Sequence, residues 1–231
     1  MSAIPIVALD VADVTDALEI VDALGQSCRF YKVGSELFTA CGPRVIRELR
    51  ARGADVFLDL KLHDIPNTVA GGLRGAAALG ARIVTVHAAG GEAMIRAAVQ
   101  AADGAGTCAV FAVTLLTSLD APEVARIWGR SESLDVGAEV VRLAGIALAG
   151  GAAGVVCSGQ EARAVKARFG SSLELLIPGI RLAGGVAHDQ SRTATPTEAV
   201  AGGANYVVVG RAVTAAADRL SAMREILSQL G

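Results

Sequence analysis

Aromatic side chains are scarce in this 231-residue chain, at 3% against 52% hydrophobic residues overall. With so few rings, a core has to be aliphatic, built from Ala, Val, Leu and Ile. Runs of positive charge are missing as well. The formal net charge is −2 and the pI about 5.9, which argues against nucleic-acid and acidic-membrane partners and leaves only local basic groups for small anions. The four cysteines (Cys28, Cys41, Cys108 and Cys157) form no C-x-x-C and no Cys/His cluster, so neither zinc nor a redox dithiol is indicated. They read as reduced, mostly buried thiols of a cytoplasmic protein. The N-terminal "MSAIPIVALD" carries a strand and no basic signal-peptide region. The apolar stretch 143–157 is broken by Gly145, Gly150, Gly151 and Gly154, too early for a membrane span.

Short aliphatic runs are what the chain does have. They fall at 4–10, 29–34, 55–62, 82–88, 108–116, 154–158, 173–180 and 205–210. Most are continuous rather than alternating, as in parallel strands buried on both faces. Amphipathic stretches separate them, at 13–25, 42–53, 66–79, 91–103, 136–150, 160–169, 196–202 and 211–229. Asp13 is placed to cap the first and Gly25 to stop it, while Pro43 and Gly53 bracket the second. Strand–helix alternation at this length predicts a single-domain α/β (β/α)8 barrel over 1–231. An open doubly wound sheet is the rival, and the missing Gly-rich loop in "ALDVADVTDA" opposes it. "RLAGGVAHDQSR" (181–192), after the seventh strand, is the candidate mobile loop.

Barrel enzymes place their chemistry at the C-terminal ends of the strands, and this chain puts polar residues there. Asp10 ends strand 1, Lys32 lies in strand 2, and Asp59 and Lys61 lie in strand 3. His87 ends strand 4, Thr117 and Ser118 follow strand 5, and Arg181 and Arg211 follow strands 7 and 8. Asp59 and Lys61 are two apart, so a strand aims both at one face. Buried charges are costly unless paired. At an effective dielectric of about 20, opposite unit charges about 4 Å apart attract by roughly 4 kcal/mol, so an alternating array holds its members ionised. Gly179 and Gly210 allow close backbone approach to an anion, with the Arg211 guanidinium beside them. His63 and His87 read as hydrogen-bonding or packing groups, Trp128 as helix packing, and Asp55 as a solvated strand start.

"DLKLHDIPNT" (59–68), with "ALD", "YKVG", "VHAAGG", "LTS", "PGIR" and "VVGRAVT" in order along the chain, resembles orotidine 5′-phosphate decarboxylase of the bacterial type. The resemblance implies a homodimeric barrel without metal or organic cofactor that converts orotidine 5′-phosphate to UMP and CO2. Lys32, Asp59 and Lys61 would form a charged array completed by Asp64 from the partner subunit, with Lys61 as proton donor. Asp10 and Lys32 would meet the ribose. Ile65 and Thr68 would join the substrate contacts, Thr68 from across the dimer. Thr117, with Ser118, would meet the pyrimidine. Gln190, Gly210 and Arg211 would hold the phosphate, and Arg181 would begin the loop beside it. Two related enzyme readings are a Mg²⁺-dependent sugar-phosphate decarboxylase or aldolase, and a Schiff-base lysine enzyme, which the flanking aspartates oppose. A barrel that only binds a phosphate ligand is the non-enzymatic alternative.

Overall fold

The computed structural model describes residues 2–104, 108–129, 134–182 and 192–231. Eight parallel strands close in sequence order: β1 Ile4–Leu9, β2 Phe30–Gly34, β3 Asp55–Leu62, β4 Ile83–His87, β5 Ala109–Val113, β6 Gly154–Val156, β7 Glu174–Ile177 and β8 Tyr206–Val209. β1 pairs with both β2 and β8, so no edge is left open. The helices are α1 Val14–Leu24, α2 Ser35–Cys41, α3 Pro43–Ala51, α4 Pro66–Ala78, α5 Gly91–Asp103, α6 Ala121–Ile127, α7 Val136–Ala149, α8 Gly159–Phe169, α9 Pro196–Ala201, α10 Arg211–Thr214 and α11 Arg219–Leu230. The chain is thus a single-domain (β/α)8 barrel, as its alternating pattern predicts.

The caps read from sequence are in place. Asp13 accepts from the Thr15 and Asp16 amides, Gly25 ends α1 at φ 49°, and Pro43 starts α3. The sequence reading misses α2 and α6, each seven residues long and too short to show a helical period. It also runs α10 and α11 together, where Asp218 starts a new helix by accepting from the Ser221 amide. β5 is five residues, not the nine of the apolar run, and just past it both the amide and the hydroxyl of Thr114 donate to the Val156 carbonyl.

Two apolar layers result. The outer one, between strands and helices, is aliphatic apart from a few groups such as Tyr31. The inner one fills the barrel and adds aromatic rings to a core that is otherwise aliphatic, as expected. Phe30, Phe57, Phe111 and Tyr206 gather there, with Tyr206 edge-on to Phe30 and Phe111 at centroid distances of 6.1 and 5.7 Å. Rings supply volume that short aliphatic chains lack at the barrel axis. Gly154 makes room for them, since a Cβ there would lie 2.4 Å from the Phe111 ring. Asp55 is also not simply solvated. It joins Arg50 and Arg82 at the N-terminal rim, the end away from the polar mouth.

Candidate active site

A cavity of about 450 Å³ opens at the C-terminal end of the barrel. Asp10, Lys32, Asp59, Lys61, Thr117, Arg181, Gly210 and Arg211 all line it. Inner-layer side chains form its floor, so apolar walls surround a charged mouth, as in many small-molecule sites.

The charges form a continuous chain. Lys32 Nζ donates to Asp10 Oδ1 at 2.7 Å and lies 4.0 Å from Asp59 Oδ2. Lys61 Nζ donates to that same Oδ2 at 2.7 Å. Asp59 is 9% exposed, so it stands nearly desolvated between two cations. β2 turns Lys32 inward, the same way as Phe30 two residues earlier, and β3 turns Phe57, Asp59 and Lys61 inward together.

β3 is less regular than the two-residue spacing suggests. It pairs Leu58 with Val84 and then Leu62 with Val86, four residues against two. Lys61 sits at φ 50°, the one left-handed non-glycine among the described residues. Such a conformation persists only where its surroundings fix it. Thr85, buried on β4, provides that contact: its hydroxyl accepts from the Lys61 amide at 3.0 Å and donates to Asp59 Oδ1 at 2.8 Å. The sequence reading missed Thr85. The available signal was one hydroxyl in "RIVTVHA", in phase with His87 at the strand end.

At the ends of β7 and β8, Gly179 adopts φ 77°, which lets the chain turn directly after β7. Gly210 precedes α10 and lies on the cavity wall with Arg211. Thr214, Leu115, Leu116 and Pro178 also line the cavity; Leu116, Pro178 and Thr214 fall within the motifs quoted above, without a role assigned to them there, and Leu115 does not.

Asp64, Ile65, Thr68 and Ser118 do not line it. All four are exposed, and Asp64 Oδ1 accepts from the Ile65 amide at 2.6 Å. Gln190 and His188 lie outside the described residues. His63 and His87 stack obliquely at 5.5 Å. Burial holds the His87 imidazole below its ordinary pKa of 6.5, and the His63 and Lys61 charges push the same way against Asp59. Trp128 packs against the outer core, as expected, but from the position just past the end of α6. Among the described residues, no group of three His, Cys, Asp or Glu side chains could hold a metal ion.

A family model described as "Orotidine 5'-phosphate decarboxylase / HUMPS family" matches residues 4–226. The chain belongs to that family. It is 46% identical over 226 residues to the orotidine 5′-phosphate decarboxylase of Halorhodospira halophila, covering 97% of this chain and 94% of that protein. It is 48% identical over 225 residues to the enzyme of the same name from Anaeromyxobacter dehalogenans, covering 96% of each. Among solved structures, the orotidine 5′-phosphate decarboxylase of Lactobacillus acidophilus superposes with a TM-score of 0.86 at 34% identity over the full length of both chains. The family read from the "DLKLHDIPNT" segment and its companion motifs is therefore the family found.

Proposed function

We propose that the protein is an orotidine 5′-phosphate decarboxylase, forming UMP and CO2 in the last step of de novo pyrimidine synthesis. The observation that carries this is the ordered Asp10–Lys32–Asp59–Lys61 chain of charges at the mouth of a family-matched barrel. Cleavage of the C6–carboxylate bond leaves its electron pair on C6, and CO2 departs as a neutral molecule. Lys61 Nζ gives a proton to that carbon and regains one from solvent. A cation fixed beside the developing carbanion stabilises it without reorganisation. Asp59, facing the substrate carboxylate, repels it until the charge is lost with CO2. In this reading the steps need only the protein's side chains and a proton from solvent.

The other roles follow the family motifs. Asp10 and Lys32 meet the ribose, and Thr117, on the cavity wall, meets the pyrimidine, with Ser118 next to it outside the lining. Gly210, Arg211 and Gln190 hold the phosphate, with Arg181 at the start of the loop beside them. Phosphate binding, remote from C6, contributes to closing the site over the base. In a homodimer, Asp64 and Thr68 enter the neighbouring site, with Ile65 at the seam. Their exposure, with Ile65 67% uncovered, is what such a contact would bury. Four unpaired thiols suit a reducing, cytoplasmic setting. No helix among the described residues is long and apolar enough to cross a membrane.

The test is turnover of orotidine 5′-phosphate by the purified protein with EDTA present, followed by loss of substrate ultraviolet absorbance and by recovery of UMP and CO2 in equal amounts. EDTA-insensitive turnover separates this reading from a Mg²⁺-dependent sugar-phosphate enzyme. Folded protein that leaves the substrate intact overturns it.

A further inference from the structure

We propose that Thr85 is a positioning residue for the decarboxylation, setting the geometry of the Asp59–Lys61 pair through a single hydroxyl; this rests on the function proposed above. The two hydrogen bonds fix each other's direction. The Lys61 amide can only donate, so the Thr85 oxygen accepts it, and the one hydroxyl proton is left for Asp59 Oδ1. Asp59 therefore receives Thr85 on one oxygen and Lys61 Nζ on the other, at 2.8 and 2.7 Å. Rotation of the carboxylate would break both contacts.

The backbone bond matters as much. Where β3 slips against β4 between Leu58 and Leu62, the regular ladder is interrupted. The Lys61 amide, in a left-handed conformation that lysine does not favour, finds the Thr85 side chain as its acceptor. That local twist helps decide where Lys61 Nζ points. Thr85 is fully buried, between Val84 and Val86 along β4. Thr85 does not line the cavity, so the substrate meets its effect only through Asp59 and Lys61.

A residue acting this way changes the chemical step and leaves remote phosphate binding alone. The experiment compares Thr85→Val, which keeps the shape and removes the hydroxyl, with Thr85→Ser, which keeps the hydroxyl. Steady-state kinetics on orotidine 5′-phosphate are measured together with UMP affinity. Thr85→Val is expected to lower kcat about a hundredfold, the scale of a misplaced catalytic group, with KM and UMP affinity within about threefold of the parent. Thr85→Ser is expected to stay within about fivefold of the parent in kcat. A Thr85→Val enzyme with near-parental kcat overturns the proposal, as does a folded Thr85→Ser enzyme as impaired as Thr85→Val. If Thr85→Val does not fold, Thr85→Ala replaces it under the same criteria, and the Thr85→Ser result stands on its own. Failure of the parent protein to turn over the substrate is seen first, in the control, and is the failure of the function itself.

Discussion

Arg192 and Glu161 form an ion pair deep in the protein, with Nη1 2.8 Å from Oε1 and both side chains more than nine-tenths buried. Arg192 Nη2 also donates to the Leu116 carbonyl at 2.9 Å, one residue before Thr117 on the cavity wall. Ser158 holds the other Glu161 oxygen through its capping box. The pair thus ties α8 to the loop after β5, and Arg192 Nε has no hydrogen-bond partner among the described residues.

Removing one charge strands the other. Glu161→Gln is expected to cost about 3 kcal/mol of stability, the low end for breaking a buried pair. The double variant Glu161→Leu with Arg192→Met is expected to recover most of it, because neither desolvated charge remains. Urea denaturation midpoints measure both. A Glu161→Gln protein as stable as the parent would show that solvent reaches the pair.

The two ends of the cavity have different expected roles. Lys61→Ala should abolish turnover while UMP still binds, because the proposed proton donor would be gone and the proposed phosphate contacts would remain. Arg211→Ala should chiefly raise KM. Steady-state kinetics decide, and equal mild losses in both variants would contradict the division of labour.

A site shared between subunits predicts complementation. Lys61→Ala and Asp64→Ala proteins, each inactive alone, should regain activity when subunits exchange, because each hybrid dimer contains one intact site. Measured exchange with no recovered turnover would place Asp64 outside the chemistry.

His87 gives a pH signature in stability. Its folded-state pKa lies below its ordinary 6.5, so below about pH 6.5 the unfolded chain takes up a proton before the native one. The stabilisation is complete above that pH and fades as pH falls through the folded-state value. His87→Asn is expected to reduce proton uptake on unfolding by a fraction of one proton in that window. Denaturation midpoints across a pH series would read it, and parallel curves for parent and variant would rule it out.

Local pattern made most of the barrel legible. Continuous aliphatic runs marked the strands, Asp13, Pro43 and the stop at Gly25 marked helix ends, and charges at strand ends marked the mouth. All of these signals lie within a few residues of what they specify. The short α2 and α6 escaped because seven residues carry less than two helical repeats. The sequence also showed Asp59 and Lys61 on one face, and the ordered motifs pointed to the family.

The tertiary structure alone decided which partners those charges take. Asp59 meets Lys32 across a strand pair and Thr85 across another, at sequence separations no periodicity reports. The slip between β3 and β4, the left-handed Lys61 and the aromatic fill of the barrel come from strands fitted side by side around one axis. Continuous apolar runs mark where each strand lies, but only closure of the barrel determines which inward groups touch.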